Sequence, residues 1–399
     1  MAGFEGRVIN IVHAHSWPDE IVTELTQGKD LIHRWAREPW LTLGPRIHTL
    51  LGKGRRLDDP EIPNHEGRLD LRGLPFPRRG RWGSFPWFPE LQPASSDLPV
   101  IEKPLATFKG ASVAGVDLSF ADLENTNWEN CKFRDVHARS ANLSHCVFSG
   151  CGFEDVRLDE ANLNSAVLGG FTGYETNTFR RVSFVKADLR HTNYRFPLFE
   201  DCDFSRAKFA RVNFEASRFV RCRFAGKLGG TEFHGSADLW YEIGHDREYF
   251  IRRGITPQDI RNTMQDVDFG EADLNGVTFW GVDLSHCKLP ADDKHVIVRD
   301  PRLFYERTRV ALEHGWEAQE REEALDLLDM LIGPGDRFLK KIAGEGPGTI
   351  LEGERRRIDK PSHWRATRPM VLSRGFFQSK SRPWGGRLFD LLIQLSREL

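Results

Sequence analysis

Residues 105–134 read LATFK GASVA GVDLS FADLE NTNWE NCKFR. In every group of five the fourth residue is large and apolar and the second is small. Calling the large residue the centre, centres recur from Phe108 to Leu168, from Phe179 to Phe224 and from Phe269 to Leu289, 28 in all. Leu or Phe fills 24 of them; Val113, Trp128, Ala138 and Tyr194 fill the rest. Two residues earlier stand 9 Ala, 8 Val, 6 Cys, 2 Thr and 1 Ser, with Asn177 and Pro197 as exceptions. A period of five matches neither the 3.6 of a helix nor the 2 of a strand. It matches a chain that turns a corner every five residues with two of the five pointing inward. Four sides close a coil, and stacked coils pair their backbones at roughly 4.8 Å. The spacing therefore predicts a mainly β solenoid of about seven coils, each packed only on its neighbours. The inward positions alternate small and large because the axis is crowded.

The rest of the composition narrows the class. The chain has 399 residues, with 56 Lys+Arg against 58 Asp+Glu and a net charge of −2. That balance argues against direct nucleic-acid binding. The start, MAGFEGRVINIVHAHSW, lacks a basic region followed by an apolar one, so no signal peptide is read. No run of 18 apolar residues is present, so no membrane span is expected. A soluble, cytoplasmic chain follows as the expectation.

Units such as Ala161-Asn162-Leu163 and Ala187-Asp188-Leu189 give the repeat its A(D/N)Lxx form. The stretch 105–289 resembles the pentapeptide-repeat proteins, a bacterial family, and the resemblance implies a right-handed quadrilateral β-helix. It implies little about function, because folds do not determine functions. Some members resemble a DNA duplex in width and charge and protect topoisomerase (DNA gyrase) from inhibitors. Those rods are acidic and dimerise end to end through a C-terminal helix.

All six cysteines, Cys131, Cys146, Cys151, Cys202, Cys222 and Cys287, occupy the small inward position. Chance would place six there about once in 15,000 trials, so packing and not redox or metal chemistry explains them. His13 and His15 lack a partner motif for metal, and Gly344–Gly348 lacks the GK[ST] of a phosphate loop. No nucleophile motif is present. Asp and Asn just before the centres read as corner turn residues. No catalytic, cofactor or metal residue is assigned.

Five segments are expected. Residues 1–66 are a helical N-terminal segment, with Pro39 and Pro45 breaking the helix. Residues 67–104 form a Pro/Arg/aromatic strap over the open first coil; within them Leu69–Leu74 resembles two stray repeats, a leading edge of the rod. Residues 105–290 form the β-helix, with a loop at 169–176 and an inserted arm at 225–266. Residues 291–344 are a helical cap, a hairpin broken near Gly315. Residues 345–399 are a basic tail ending in an amphipathic helix.

Two surfaces are candidates for contact. The arm carries Trp240, Tyr241, Tyr249, Phe250, Arg252 and Arg253, on a segment that either projects from the rigid scaffold or packs on one face of the rod. The terminal helix carries Leu388, Leu391, Leu392 and Leu395 on one face, which can dock in cis, form a homodimer, or touch a membrane surface. Along the rod, residues 105–168 hold 5 Lys+Arg and 9 Asp+Glu, and residues 169–227 hold 12 and 6. Arg181, Asp201 and Arg221 are expected to form one charge ladder, with Asp203 beside Arg223. The leading function is a non-catalytic scaffold or protein-interaction module with an unidentified protein partner. Gyrase protection by duplex mimicry is the first alternative; an enzyme with chemistry in the flanks is the second.

Overall fold

The computed structural model describes residues 28–55, 57, 61–75, 80–81, 100–101, 106–169, 176–235, 261–280, 282–332, 370–378 and 382–398. From residue 106 the backbone turns every five residues. At the described corners from Gly110 to Arg221 the corner lies two residues after the centre, where φ is positive: Asn125 (60°), Asn130 (54°), Asp135 (52°), His145 (59°), Arg206 (58°). Asn, Asp and Gly bear the left-handed conformation at least cost, which explains their frequency there. The Asp or Asn before a centre is not the corner itself. It accepts a hydrogen bond from the N–H two residues on, as Asp122 does from Glu124, Asp188 from Arg190 and Asp203 from Ser205. That contact shapes the approach to the corner.

Between corners the sides are short strands paired in parallel with the coil above. On the first side Val113 lies opposite Phe133 and Phe133 opposite Phe153, a step of twenty residues. Phe153 then faces Phe179, so the break adds six residues before the register resumes through Phe199 and Phe219. Nine strands make up this side, and its leading edge is the hairpin Asn64–His65 and Arg68–Asp70. Leu69 pairs with Val116, and Leu71 and Leu74 are buried. The stray repeats at 69–74 are thus the leading edge of the rod, although they fall within the 67–104 segment.

Identical registers stack identical rings. Phe133, Phe153, Phe179, Phe199 and Phe219 form one column with centroids 4.8, 4.7, 4.8 and 5.1 Å apart. Phe184, Phe204, Phe224 and Phe269 form a second at 4.8, 4.6 and 5.0 Å. Tyr194, Phe214, Phe233 and Phe279 form a third at 4.5, 5.1 and 5.1 Å. The ring spacing equals the strand spacing, so backbone pairing and side-chain stacking reinforce one another.

Three expectations are corrected. The arm is shorter than 225–266: strands Arg223–Lys227 and Thr231–His234 continue the coil, with Leu228 and Phe233 buried in it. One residue is missing between Gly226 and Leu228, which hides this stretch from a strict count of five. Pro45 does not break its helix, because α1 runs from Trp40 to Gly52 through it. The helical hairpin, α2 (Pro301–Leu312) and α3 (Ala318–Leu331), does form around Gly315, but it is not what meets the rod. The contact with the last coils comes from the antiparallel strands His295–Val298 and Met370–Ser373. The Leu274 N–H donates to His295 Nε2 at 3.0 Å, and Ser373 Oγ meets Asn275 Oδ1 at 3.3 Å.

At the other end, Trp35, Ile47 and Leu51 join the rod core, and His48 packs edge-on to Phe108 at 5.4 Å. Arg34 donates to both carboxylate oxygens of Asp70 at 2.8 and 2.7 Å, and Trp35 Nε1 donates to the Arg72 carbonyl at 2.8 Å. Burial raises the Asp70 carboxyl, but the guanidiniums of Arg34 and Arg72 outweigh it and hold the group far below the usual carboxylate range.

Candidate interaction surfaces

Both insertions leave the rod at the same corner. That corner, between the fourth side of one coil and the first side of the next, is occupied in turn by Gly110, Asn130, Gly150, Phe196, Ala216 and Gly235; the first break falls between Leu168 on the fourth side and Phe179 on the first. The long insertion, 236–260, follows Gly235 directly. Three coil steps separate the two exits, about 14 Å at the usual strand spacing.

The chain returns to the axis after each insertion through an asparagine in the small inward position. Asn177 is fully buried. Its Nδ2 donates to the Phe148 carbonyl at 2.8 Å and its Oδ1 accepts from the Cys151 N–H at 2.8 Å. The amide thereby joins the re-entering strand to the coil before it. After the long insertion the Asn262 N–H donates to the Gly235 carbonyl at 2.7 Å, closing the two feet against each other. The coil beyond them is in register, because Phe224 stacks on Phe269 at 5.0 Å. Trp240, Tyr241, Tyr249, Phe250, Arg252 and Arg253 lie outside the described residues, as do His13, His15, most of the Pro/Arg/aromatic stretch and residues 333–369.

The leucine face of the terminal helix is placed. In α5 (Gly385–Glu398), Leu388, Leu392 and Leu395 are buried and Leu391 packs beside them. They close a second core with Val296, Val298 and Phe304. The face docks in cis, so these side chains are already engaged within the chain. Between α4 (Arg374–Phe377) and α5, Arg374 donates to Asp390 at 2.7 Å and lies 4.8 Å from the Phe389 ring.

On the rod surface the charge ladder is one coil longer than expected. Arg181 donates to Asp155 at 2.6 Å and to Glu154 at 2.8 Å, and Arg221 repeats the motif on Asp201 (2.7 Å) and Glu200 (2.8 Å). The bonds from Arg181 and Arg221 hold the Asp155 and Asp201 carboxyls below their ordinary range. Asp203 does lie beside Arg223, but Arg223 turns the other way and donates to Glu271 at 2.8 Å. These pairs are exposed and screened by solvent, so they contribute little to stability.

Five of the six cysteines are buried, Cys287 is half-buried, and all are unbridged. The thiols of Cys131, Cys146, Cys151 and Cys202 each donate to a carbonyl 23 residues earlier, at 3.0 to 3.4 Å. Burial pushes the Cys146 and Cys287 thiols up to about 12. Among the described residues no group of three His, Cys, Asp or Glu is placed to hold a metal, and no helix is long and apolar enough to cross a membrane.

The pentapeptide-repeat family model matches eight repeat copies, over residues 111–150, 139–172 and 263–289. No curated protein matches the chain. Among solved structures, a trypsin-treated form of QnrB1, a plasmid-mediated fluoroquinolone resistance protein, is 18% identical over 47% of this chain and 78% of its own, with a TM-score of 0.27. HetL, a pentapeptide-repeat protein involved in heterocyst differentiation regulation in the cyanobacterium Nostoc sp. strain PCC 7120, is 18% identical over 46% and 83%, with a TM-score of 0.21. Rfr23 from the cyanobacterium Cyanothece 51142 is 21% identical over 36% and 84%, with a TM-score of 0.16. The five-residue register extends the matched repeats through 176–235, where no family match falls. The chain carries pentapeptide repeats, matched by the family model over 111–172 and 263–289, and they are wound into a right-handed quadrilateral β-helix with helical segments towards both termini.

Proposed function

We propose that the chain is a non-catalytic interaction scaffold, and that the segment inserted at Gly235 is what it presents to a protein partner. One observation carries the reading: a 25-residue insertion leaves and re-enters a rigid, in-register coil through feet hydrogen-bonded at 2.7 Å. Loops held by rigid scaffolds are where binding residues concentrate. Trp, Tyr and Arg, which carry most interface energy, are dense in it at Trp240, Tyr241, Tyr249, Arg252 and Arg253. The unbridged thiols fit a reducing, cytoplasmic setting.

The test is affinity capture with the full chain, with a chain in which a short Gly-Ser link replaces 236–260, and with a Trp240→Ala, Phe250→Ala variant. A specific partner is expected to be lost from both altered chains. Recovery of the same proteins from all three removes the insertion as the contact site. Duplex mimicry needs a sustained acidic surface. Here arginines alternate with carboxylates along the main ladder, so no change in gyrase supercoiling or quinolone sensitivity is expected at micromolar protein. Protection of the enzyme would reverse that conclusion.

A further inference from the structure

The excess positive charge of the second half of the rod has a definite place. Of the twelve Lys and Arg between 169 and 227, six are paired in the structure: Arg180 with Glu200, Arg181 with Asp155, Lys186 with Glu160, Arg190 with Asp188, Arg221 with Asp201 and Arg223 with Glu271. Arg206, Lys208, Arg211 and Lys227 are exposed, and no acidic group among the described residues lies within 4.0 Å of them. These four share one side of the rod. Arg206 and Arg211 stand at its two corners, and Lys208 stands between them, just before the inward Phe209. Lys227 stands on the next coil, just before the inward Leu228. Asp188 and Asp273 border the group on the coils to either side.

Arginine stands at four of the described corners, Arg181, Arg206, Arg211 and Arg221. Arg206 and Arg211 have φ of 58° and 53°, where Asn, Asp or Gly is less strained. Arg181 and Arg221 occupy the same kind of position and gain ion pairs there. Arg206 and Arg211 gain none among the described residues, so their guanidiniums are left for a partner outside the rod.

We propose that the side bearing Arg206, Lys208, Arg211 and Lys227 binds an acidic polypeptide segment. A side five residues long spans at most about 16 Å, and two coils add roughly 5 Å of depth. That footprint suits one acidic helix, about 10 Å across. It offers four cations, fewer than the six to ten phosphate contacts of a typical strong duplex binder. The surface is distinct from the corner that carries the insertions, so this proposal and the function proposed above fail independently.

The test uses the full chain, a fluorescent ten-residue peptide of alternating Glu and Ala, a 20-base-pair DNA duplex, and vesicles containing phosphatidylserine, at 0.15 M salt. Binding of the peptide is expected, with affinity falling as salt rises. It should fall at least tenfold in a chain carrying Arg206→Asn, Lys208→Gln, Arg211→Asn and Lys227→Gln. Because asparagine suits the two corners, the same chain should melt no lower than the parent. A control carrying Lys132→Gln and Arg157→Gln should bind as the parent does, as should the chain lacking 236–260. Absence of peptide binding, or equal loss in the control, overturns the proposal. So does tighter binding of the duplex or the vesicles, which would assign the surface to that class instead.

Discussion

Phe199 is the most informative residue to remove. It is fully buried and lies inside the five-ring column, 4.8 Å from Phe179 and 5.1 Å from Phe219. It also meets Tyr194, Phe204 and Phe214 edge-on at 5.5, 5.4 and 6.0 Å. Truncating a buried Phe to Ala costs about 3–5 kcal/mol in lost transfer energy and residual cavity. Each aromatic pair contributes roughly 0.5–1.5 kcal/mol beyond its area. A solenoid coil has support only from the coils on either side, so little relaxation is available. Phe199→Ala should therefore fall at the top of the range, about 4–5 kcal/mol. Phe199→Leu keeps most of the volume and uses the other residue common at centres, so about 1–2 kcal/mol is expected. Phe209 is 9% exposed and meets only Phe224 among the described rings, tilted at 6.3 Å; its Ala variant should lose roughly 1 kcal/mol less than Phe199→Ala. Denaturant unfolding followed by circular dichroism measures all three. If Phe199→Ala costs under about 1 kcal/mol, or if Leu and Ala cost the same, the ring is not stacked on the axis and the packing argument fails.

Three further outcomes follow from the structure. Asp70 has its pKa lowered in the folded state, so its contribution is complete above the ordinary carboxylate value of 3.8 and is lost as pH falls below it. Asp70→Asn should cost about 2–3 kcal/mol at neutral pH and flatten the acid limb of the stability curve; an unchanged acid limb contradicts the Arg34–Asp70–Arg72 clamp. Maleimide should label Cys287 slowly and leave the five buried thiols untouched until the chain unfolds, whereas rapid labelling of all six would place them in water. Replacing 236–260 with a short link should leave the melting temperature within a few degrees of the parent, because the feet already meet; unfolding of that chain would mean that the insertion is part of the core.

The rod was legible because its chemistry is local and periodic. Any residue from Phe108 to Phe224 could be assigned inward or outward by counting, and the ring columns, the buried cysteines and the ladder through Arg181, Asp201 and Arg221 follow from that count. Counting failed where the backbone drops a residue. Leu228 falls four residues after Phe224 instead of five, so a continuing coil looked like the start of an arm. The flanks were legible as elements but not as contacts. The apolar faces of α2 and α5 are plain in the sequence, yet nothing local to Leu388 or Leu392 indicates that Val296 and Phe304 cover them. Nor does the pattern around Pro45 reveal that α1 is held by packing on the first coil. The common exit corner of the two insertions becomes countable only once the shortened step to Leu228 is allowed for, because by strict fives the second interruption follows Phe224, on a different side from Leu168.

The claim on which the rest depends is that residues 20 apart, or 26 across the first break, sit on adjacent coils. Spin labels at Ser112→Cys and Arg218→Cys test it most directly, since the native cysteines are mostly buried and both positions lie on the first side. The strands there step through Ser112, Lys132, Gly152, Thr178, Leu198 and Arg218, five spacings in all. The backbone separation should be about 24 Å, with a narrow distribution. A broad distribution, or a mean beyond about 35 Å, would contradict the stacked coil.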